Sequence, residues 1–155
     1  MSRPDGSEAT KLEPGPEPDD PGCVFCQIVA GRLSAHLVLV EPDVVGFLDR
    51  RPLFHGHTLL VPRRHRHTLP EVPTAELAPL MDAAQRVAAA MVDVLGAQGS
   101  FVAMNNTVSQ SVPHLHVHVV PRTKGDGLRG FFWPRTTYAD DAEMSRIAGR
   151  IAAAL

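Results

Sequence analysis

Cysteine is nearly missing from this 155-residue chain, which has only Cys23 and Cys26. Two cysteines make no disulfide framework. Three apart, in a chain with no secretory pattern, they read as half a metal site or as a redox pair. Long apolar runs are missing too. None could span a bilayer, and the N-terminus lacks the charged-then-apolar order of a signal peptide, so a cytoplasmic protein with no membrane partner is expected. Neither sign of charge is in large excess, the formal net charge being −2. The basic footprint that phosphate backbones attract is therefore absent, which argues against a nucleic-acid partner. Aromatic residues are scarce at 5%, but 44% of the residues are hydrophobic, enough at this length for one compact domain with a real core. No internal repeat is visible.

What is present divides into a tail and a domain. Residues 1–22 hold five prolines, two basic and six acidic residues and little to bury, so they are expected to form a disordered acidic tail. Residues 23–155 carry thirteen basic and eleven acidic residues, a slight positive balance that suits an anionic ligand. Within them, Val24, Phe25, Ile28 and Val29 recur at helical spacing and Gly31 follows, predicting a short helix over 23–31. The runs 37–41 and 44–48, split by Pro42-Asp43, predict a strand hairpin, and 57–61, stopped by Pro62, a third strand. Between Thr74 and Leu95, Leu77, Leu80, Met81, Ala84, Val87, Ala88, Met91, Val94 and Leu95 mark one face of a long amphipathic helix ended by Gly96. Pro79 sits early in it and predicts an irregular first turn or a later start. A short strand over 101–104, a polar loop over 105–111 and a C-terminal helix with Met144, Ile147, Ile151 and Leu155 complete the chain. The expected class is α+β: a mostly antiparallel five-stranded sheet, one long helix and short flanking helices.

The fifth strand is the unusual one. In Pro113-His114-Leu115-His116-Val117-His118-Val119-Val120-Pro121 three histidines alternate with apolar residues, so the histidines line one face and Leu115, Val117 and Val119 turn to the core. Each ring needs a polar partner or a solvent-filled site, so packing alone does not account for the row. Three readings compete: a hydrogen-bonded structural row, a metal centre, or nucleophilic attack by an imidazole on phosphorus. An oxygenase-type metal centre would also want a carboxylate, and there is no Asp or Glu between Asn105 and Lys124. The neutral donors Asn105, Asn106, Thr107, Ser109, Gln110 and Ser111 precede the strand and Arg122 follows it, which describes an anion site better than a hard-metal site.

The motif His114-Leu-His116-Val-His118-Val-Val resembles the signature of the histidine triad superfamily of nucleotide hydrolases and transferases. CVFCQIVAGRLSA, VVGFLDRRPLFHGHTLLVPRRH, FVAMNN and SQSVPHLHVHVVPR are similar, in order, to successive blocks of its nucleotide-binding branch, over about Cys23 to Arg122. The resemblance implies an α+β fold that dimerises into one continuous sheet. It also implies a two-step hydrolysis of nucleoside 5′-phosphoramidates or related AMP conjugates. The alternatives are a dinucleoside polyphosphate hydrolase or phosphorylase, and a nucleotide-binding module with little turnover. By the same resemblance His116 is the nucleophile, His118 holds a phosphate oxygen, His57 supports the site and Ser111 stands near the leaving group. Asp49 takes the ribose hydroxyls of an AMP- or GMP-type purine nucleotide. Phe25, Ile28, Leu33 and Phe47 wall the base pocket, and Asn105 and Gln110 reach phosphate and sugar.

The C-x-x-C members of that superfamily hold a structural zinc, which here implies Cys23, Cys26, His65 and His114 as a closed tetrahedral set. His67 is the alternative to His65, and two buried thiols or a redox pair the alternative to zinc. The sequence departs from the family at the 105–110 loop, which is about two residues short. There Ser109 stands where Gly is usual, leaving Asn105 and Asn106 interchangeable. Phe131, Phe132 and Trp133 receive no assigned role.

Overall fold

Two hydrophobic cores, one on each face of a single sheet, organise the protein. The computed structural model describes residues 9–128 and 136–155. In chain order the elements are α1 (Val24–Val29), β1 (Leu37–Val40), β2 (Val44–Leu48), β3 (Thr58–Pro62), a 3₁₀ turn (Leu69–Glu71), α2 (Thr74–Leu95), β4 (Gly99–Ala103), β5 (Val117–Arg122) and α3 (Asp141–Ala152). The sheet order is β1-β2-β3-β5-β4, with every neighbouring pair antiparallel. The α+β class and the five strands match the expectation.

Side chains alternate across a strand, so each strand feeds both cores. Val44, Leu60, Leu115, Val117 and Val119 pack on one face against Leu80, Ala83, Ala84, Val87 and Met91 of α2. Leu37, Val45, Phe47, Leu59 and Val61 pack on the other against Phe25 and Ile28 of α1. Pairing of Leu59 with His118 puts the histidine row on the α1 face.

Helix α2 has the expected bounds and runs through Pro79, whose ring offers no N–H to the Ala75 carbonyl. Gly96, in the left-handed region at φ 67°, ends it. Its apolar stripe is wider than the surface it buries. Met81, Val94 and Leu95 are exposed, while Ala83, on the neighbouring row, is fully buried. The fifth strand begins later than its alternation suggests, at Val117 rather than His114. In the register of Leu60 with Val117, Leu115 would face Pro62, which has no N–H to give. Leu115 instead donates its N–H to the Arg66 carbonyl at 2.6 Å. Residues 114–116 lie before the strand, His114 at a bend where its N–H donates to the Val112 carbonyl at 2.8 Å.

The described part of the expected tail is tied down. Thr10 and Ala35 exchange backbone hydrogen bonds of 2.9 and 2.8 Å, Gly15 N–H donates to the Ala30 carbonyl at 3.2 Å, and Leu12 packs on the α1 core. Composition alone misses this because these contacts join backbone groups and an apolar side chain to partners distant in sequence. Residues 1–8, and with them the start of that tail, lie outside the described residues, as do Phe131, Phe132 and Trp133. The chain separates into two compact units, up to Lys124 and from Gly125. In the second, α3 is capped by Asp140, whose carboxylate accepts the Glu143 N–H at 2.8 Å.

Candidate active site

The histidine row does not contain three equivalent rings. His114 and His116 are buried, and His118 is partly so. His116 Nδ1 lies 2.7 Å from the His114 carbonyl, an acceptor only, so Nδ1 carries the proton and Nε2 keeps a lone pair. The edge of one ring meets the face of the other where Phe25 contacts His116, with centroids 5.1 Å apart. That contact fixes the imidazole plane.

A second chain of tautomers starts at a backbone amide. Leu53 donates its N–H to His57 Nδ1 at 3.1 Å, so the neutral His57 ring is protonated on Nε2. That Nε2–H reaches His118 Nδ1 at 2.9 Å, which must accept and therefore leaves the His118 proton on Nε2. The His118 and His116 rings are 4.8 Å apart. One presents a lone pair and the other an N–H. Burial pushes the His118 imidazole down to about 4, His116 and His57 adding to the effect and Asp49 opposing it. His57 and His116 are also lowered, chiefly by burial. All three are thus neutral at pH 7, the state in which an imidazole is a nucleophile.

Asp49 ends β2. Its Oδ1 accepts the Arg51 N–H at 2.8 Å and its Oδ2 lies 3.8 Å from His57 Nδ1. A carboxylate therefore does come near the histidines, from a strand remote in sequence, and Asp49, His57 and His118 bring one ligand atom each within 4.8 Å of one another. As a metal set it fails on its hydrogen bonds. His57 Nε2 and His118 Nδ1 share one proton, and His57 Nδ1 is taken by Leu53.

Cys23, Cys26, His65 and His114 form the other cluster, with one ligand atom each within 4.8 Å of one another. Cys23 precedes α1 as its cap and Cys26 lies one turn on, so a single helical turn brings both sulfurs to one side. His114 Nε2 donates to the Pro62 carbonyl at 2.9 Å, which turns the Nδ1 lone pair to the sulfurs of Cys23 and Cys26, each 3.4 Å away. His65 Nδ1 is 3.1 Å from Cys26 Sγ. A tetrahedral zinc with Zn–S of about 2.3 Å and Zn–N of about 2.0 Å separates S from N by roughly 3.5 Å. The four residues fit such an ion, and His65 rather than His67 completes the set. Burial drives the Cys26 thiol up to about 12, so a thiolate there needs a cation beside it.

The remaining expected residues divide. Phe25, Ile28 and Phe47 are buried in the α1 core, whereas Leu33 is 43% exposed. Gln110 bridges its loop to the segment after β3, donating to the His67 carbonyl at 2.6 Å and accepting the Thr107 N–H at 3.0 Å. Asn105 donates to the Ser109 carbonyl at 3.2 Å, and Asn106 accepts the Leu69 N–H at 2.6 Å. Ser111 is exposed. Sequence reasoning missed the Leu53 N–H and the Pro62 carbonyl, which set two of the tautomers. Both are backbone groups, and no residue type announces them.

Residues 30–125 match the family model described as the HIT domain. The adenylylsulfatase HINT3 of Arabidopsis thaliana is 36% identical over 109 residues, which is 68% of this chain and 55% of that protein. A crystal structure of a HIT family member from Bacillus subtilis superposes with a TM-score of 0.77 at 29% identity, covering 86% of this chain and 97% of that one. A zinc-bound histidine triad family protein from Mycobacterium smegmatis is 33% identical with a TM-score of 0.67, covering 86% of this chain and 98% of that one.

Proposed function

The chain belongs to the HIT domain family, and from that premise we propose that it is a nucleotide hydrolase acting on nucleoside 5′-phosphoramidates or related AMP conjugates. The observation that carries the reading is the tautomer chain. His116 keeps a lone pair and His118, its ring centroid 4.8 Å away, keeps an N–H, a nucleophile and a donor for the phosphoryl oxygen on neighbouring rings. His116 Nε2 attacks the α-phosphorus, the bond to the leaving group breaks, and the leaving amine or oxygen takes its electron pair and a proton, with the Ser111 hydroxyl at hand. Water then attacks the nucleotidyl-imidazole, the P–N electron pair returns to His116, and the proton the water loses makes good the one that the leaving group took through Ser111. Asp49 would hold the ribose hydroxyls, and Leu33, with Phe25, Ile28 and Phe47 behind it, would face a purine base of the AMP or GMP type. Asn105 and Gln110 shape the loop that closes over phosphate and sugar. The name of the Arabidopsis relative, an adenylylsulfatase, supports an adenylyl conjugate as the substrate class.

Cys23, Cys26, His65 and His114 would hold a structural zinc. With four protein ligands it leaves no open position and supplies stability, not chemistry. The zinc-bound mycobacterial relative supports this. A homodimer joined through β4 is supported by the exposure of Val102 on that edge strand. It lines, with Ala78, Met81, Asp82, Ala84, Gln85 and Ala88 of α2, a groove of about 550 Å³.

The test is AMP release from adenosine phosphoramidate, adenylyl sulfate and diadenosine tetraphosphate, followed by chromatography. His116→Ala is expected to lower turnover by at least about 10³-fold while still folded. Wild-type turnover in that variant would remove the nucleophile assignment. Tight nucleotide binding without AMP release from any of the three would leave a binding module.

A further inference from the structure

The stretch 9–22, expected to be disordered, ends beside the Cys23, Cys26, His65 and His114 cluster. His65 Nδ1 faces Cys26, so the ring's other nitrogen must point away, and Nε2 is the only buried side-chain nitrogen or oxygen without a hydrogen-bond partner among the described residues. What lies beyond it is Asp20, with Oδ2 at 4.0 Å. That is too long for a hydrogen bond and about 1 Å from becoming a charge-assisted one. Asp20 is held where it stands. Its Oδ1 accepts the Gly22 N–H at 2.8 Å and its carbonyl accepts the Cys23 N–H at 3.1 Å. The neighbouring Asp19 grips the same histidine by its backbone, with Oδ2 accepting the His65 N–H at 2.9 Å.

The rest of the stretch keeps these two carboxylates in register. Gln27 Nε2 donates to the Pro21 carbonyl at 2.7 Å. Glu17, by contrast, makes only a solvent-exposed pair with Arg32 at 3.4 Å and holds neither carboxylate. Gly31, at φ +73°, lets the chain cross close above it, because a Cβ there would collide with the carbonyl oxygens of Leu12 and Glu13. Two carboxylates on one histidine and an orphaned ring nitrogen converge at His65.

We infer that Asp20 is a positioning residue for the metal centre, accepting the His65 Nε2–H so that Nδ1 is aimed at the ion, and that residues 9–22 are therefore part of that centre. The inference rests on the zinc reading of Cys23, Cys26, His65 and His114. A carboxylate on the far nitrogen fixes the tautomer and orientation of a ligating imidazole and raises its basicity, and its loss commonly costs about 10–100-fold in metal affinity. Asn at position 20 can still accept from Gly22 through Oδ1, but its amide group meets the His65 N–H with another donor.

The experiment is zinc affinity of the full chain, by competition with a chromophoric chelator, for wild type, Asp20→Asn, Asp20→Glu, Glu17→Gln and Cys26→Ser. The melting temperature of each metal-free protein is recorded alongside. Asp20→Asn is expected to bind zinc about 10–100-fold more weakly with its metal-free melting temperature unchanged. Asp20→Glu, whose carboxylate reaches one bond further, should recover most of that loss. Glu17→Gln, which removes a charge from the same stretch, should stay within about twofold of wild type, as expected of an exposed pair. Asp20→Asn binding like wild type, while Cys26→Ser does not bind, overturns the role of Asp20 and leaves the zinc site standing. A lowered metal-free melting temperature with unchanged affinity makes Asp20 a packing residue and overturns it too. Equal binding by wild type and Cys26→Ser overturns the zinc reading and the inference with it.

Discussion

A hydrogen bond to one ring nitrogen decides what the other can do, and that sets the roles of the imidazoles here apart. His116 gives its proton to a carbonyl and keeps a lone pair; His118 accepts from His57 and keeps an N–H. Truncating His57 should therefore act through His118. His57→Ala is expected to lower turnover by about 10–100-fold, with His116 still becoming nucleotidylated, as seen by mass spectrometry of the quenched enzyme. Absence of the adduct would mean that His57 serves the attack itself. The pH dependence follows from the same burial. His118 titrates near 6.5 when unfolded and near 4 in the fold, so between these values the unfolded chain binds more protons. Its share of stability is complete above about pH 6.5 and is lost as pH falls through about 4. The urea midpoint should fall over that window, and less steeply in His118→Asn than in wild type. Equal slopes would contradict the assignment.

At the scale of elements, the sequence was most legible where a long period could be read. The bounds of α2 follow from its apolar repeat and from Gly96, and β2 from its apolar run. The start of β5 was not legible, because it depends on a proline in the neighbouring strand. The 105–111 loop shows why Gly would be usual at position 109. Ser109 is left-handed at φ 61°, and the β-branched Thr107 is left-handed at φ 67°. A side chain in that region costs about 1–2 kcal/mol, partly offset by the entropy that Gly loses on folding. Ser109→Gly is expected to raise stability by up to about 1 kcal/mol in denaturant titration. A destabilised variant would show that the Ser109 side chain has a role in holding the loop.

At the scale of the whole molecule, two features bear on assembly and on the metal. Among the described residues β4 is an edge strand of the sheet, and its Val102 is exposed beside the α2 groove. An edge strand is a pairing surface unless it is blocked. Val102→Glu should convert a dimer to a monomer in light scattering at micromolar concentration, and an unchanged mass would place the interface elsewhere. Removing zinc should act on folding before chemistry, since none of its four ligands is His116, His118 or His57. Chelation is expected to lower the melting temperature by several degrees while the initial rate of still-folded protein is retained. Rate loss without loss of stability would make the metal catalytic.

Local pattern by itself determined the fold class, the long helix, the strand alternation and the set of residues worth suspecting, because helix and strand periods and C-x-x-C spacing are written along the chain. Only the tertiary structure decided which nitrogen of each histidine is free, and that Asp49 approaches the histidines without making a metal set. It alone showed that a proline-rich stretch reaches His65. Those outcomes depend on backbone carbonyls and amides brought together from distant positions. A carbonyl has no identity in the sequence, so its partner is settled only when the sheet and helices have packed.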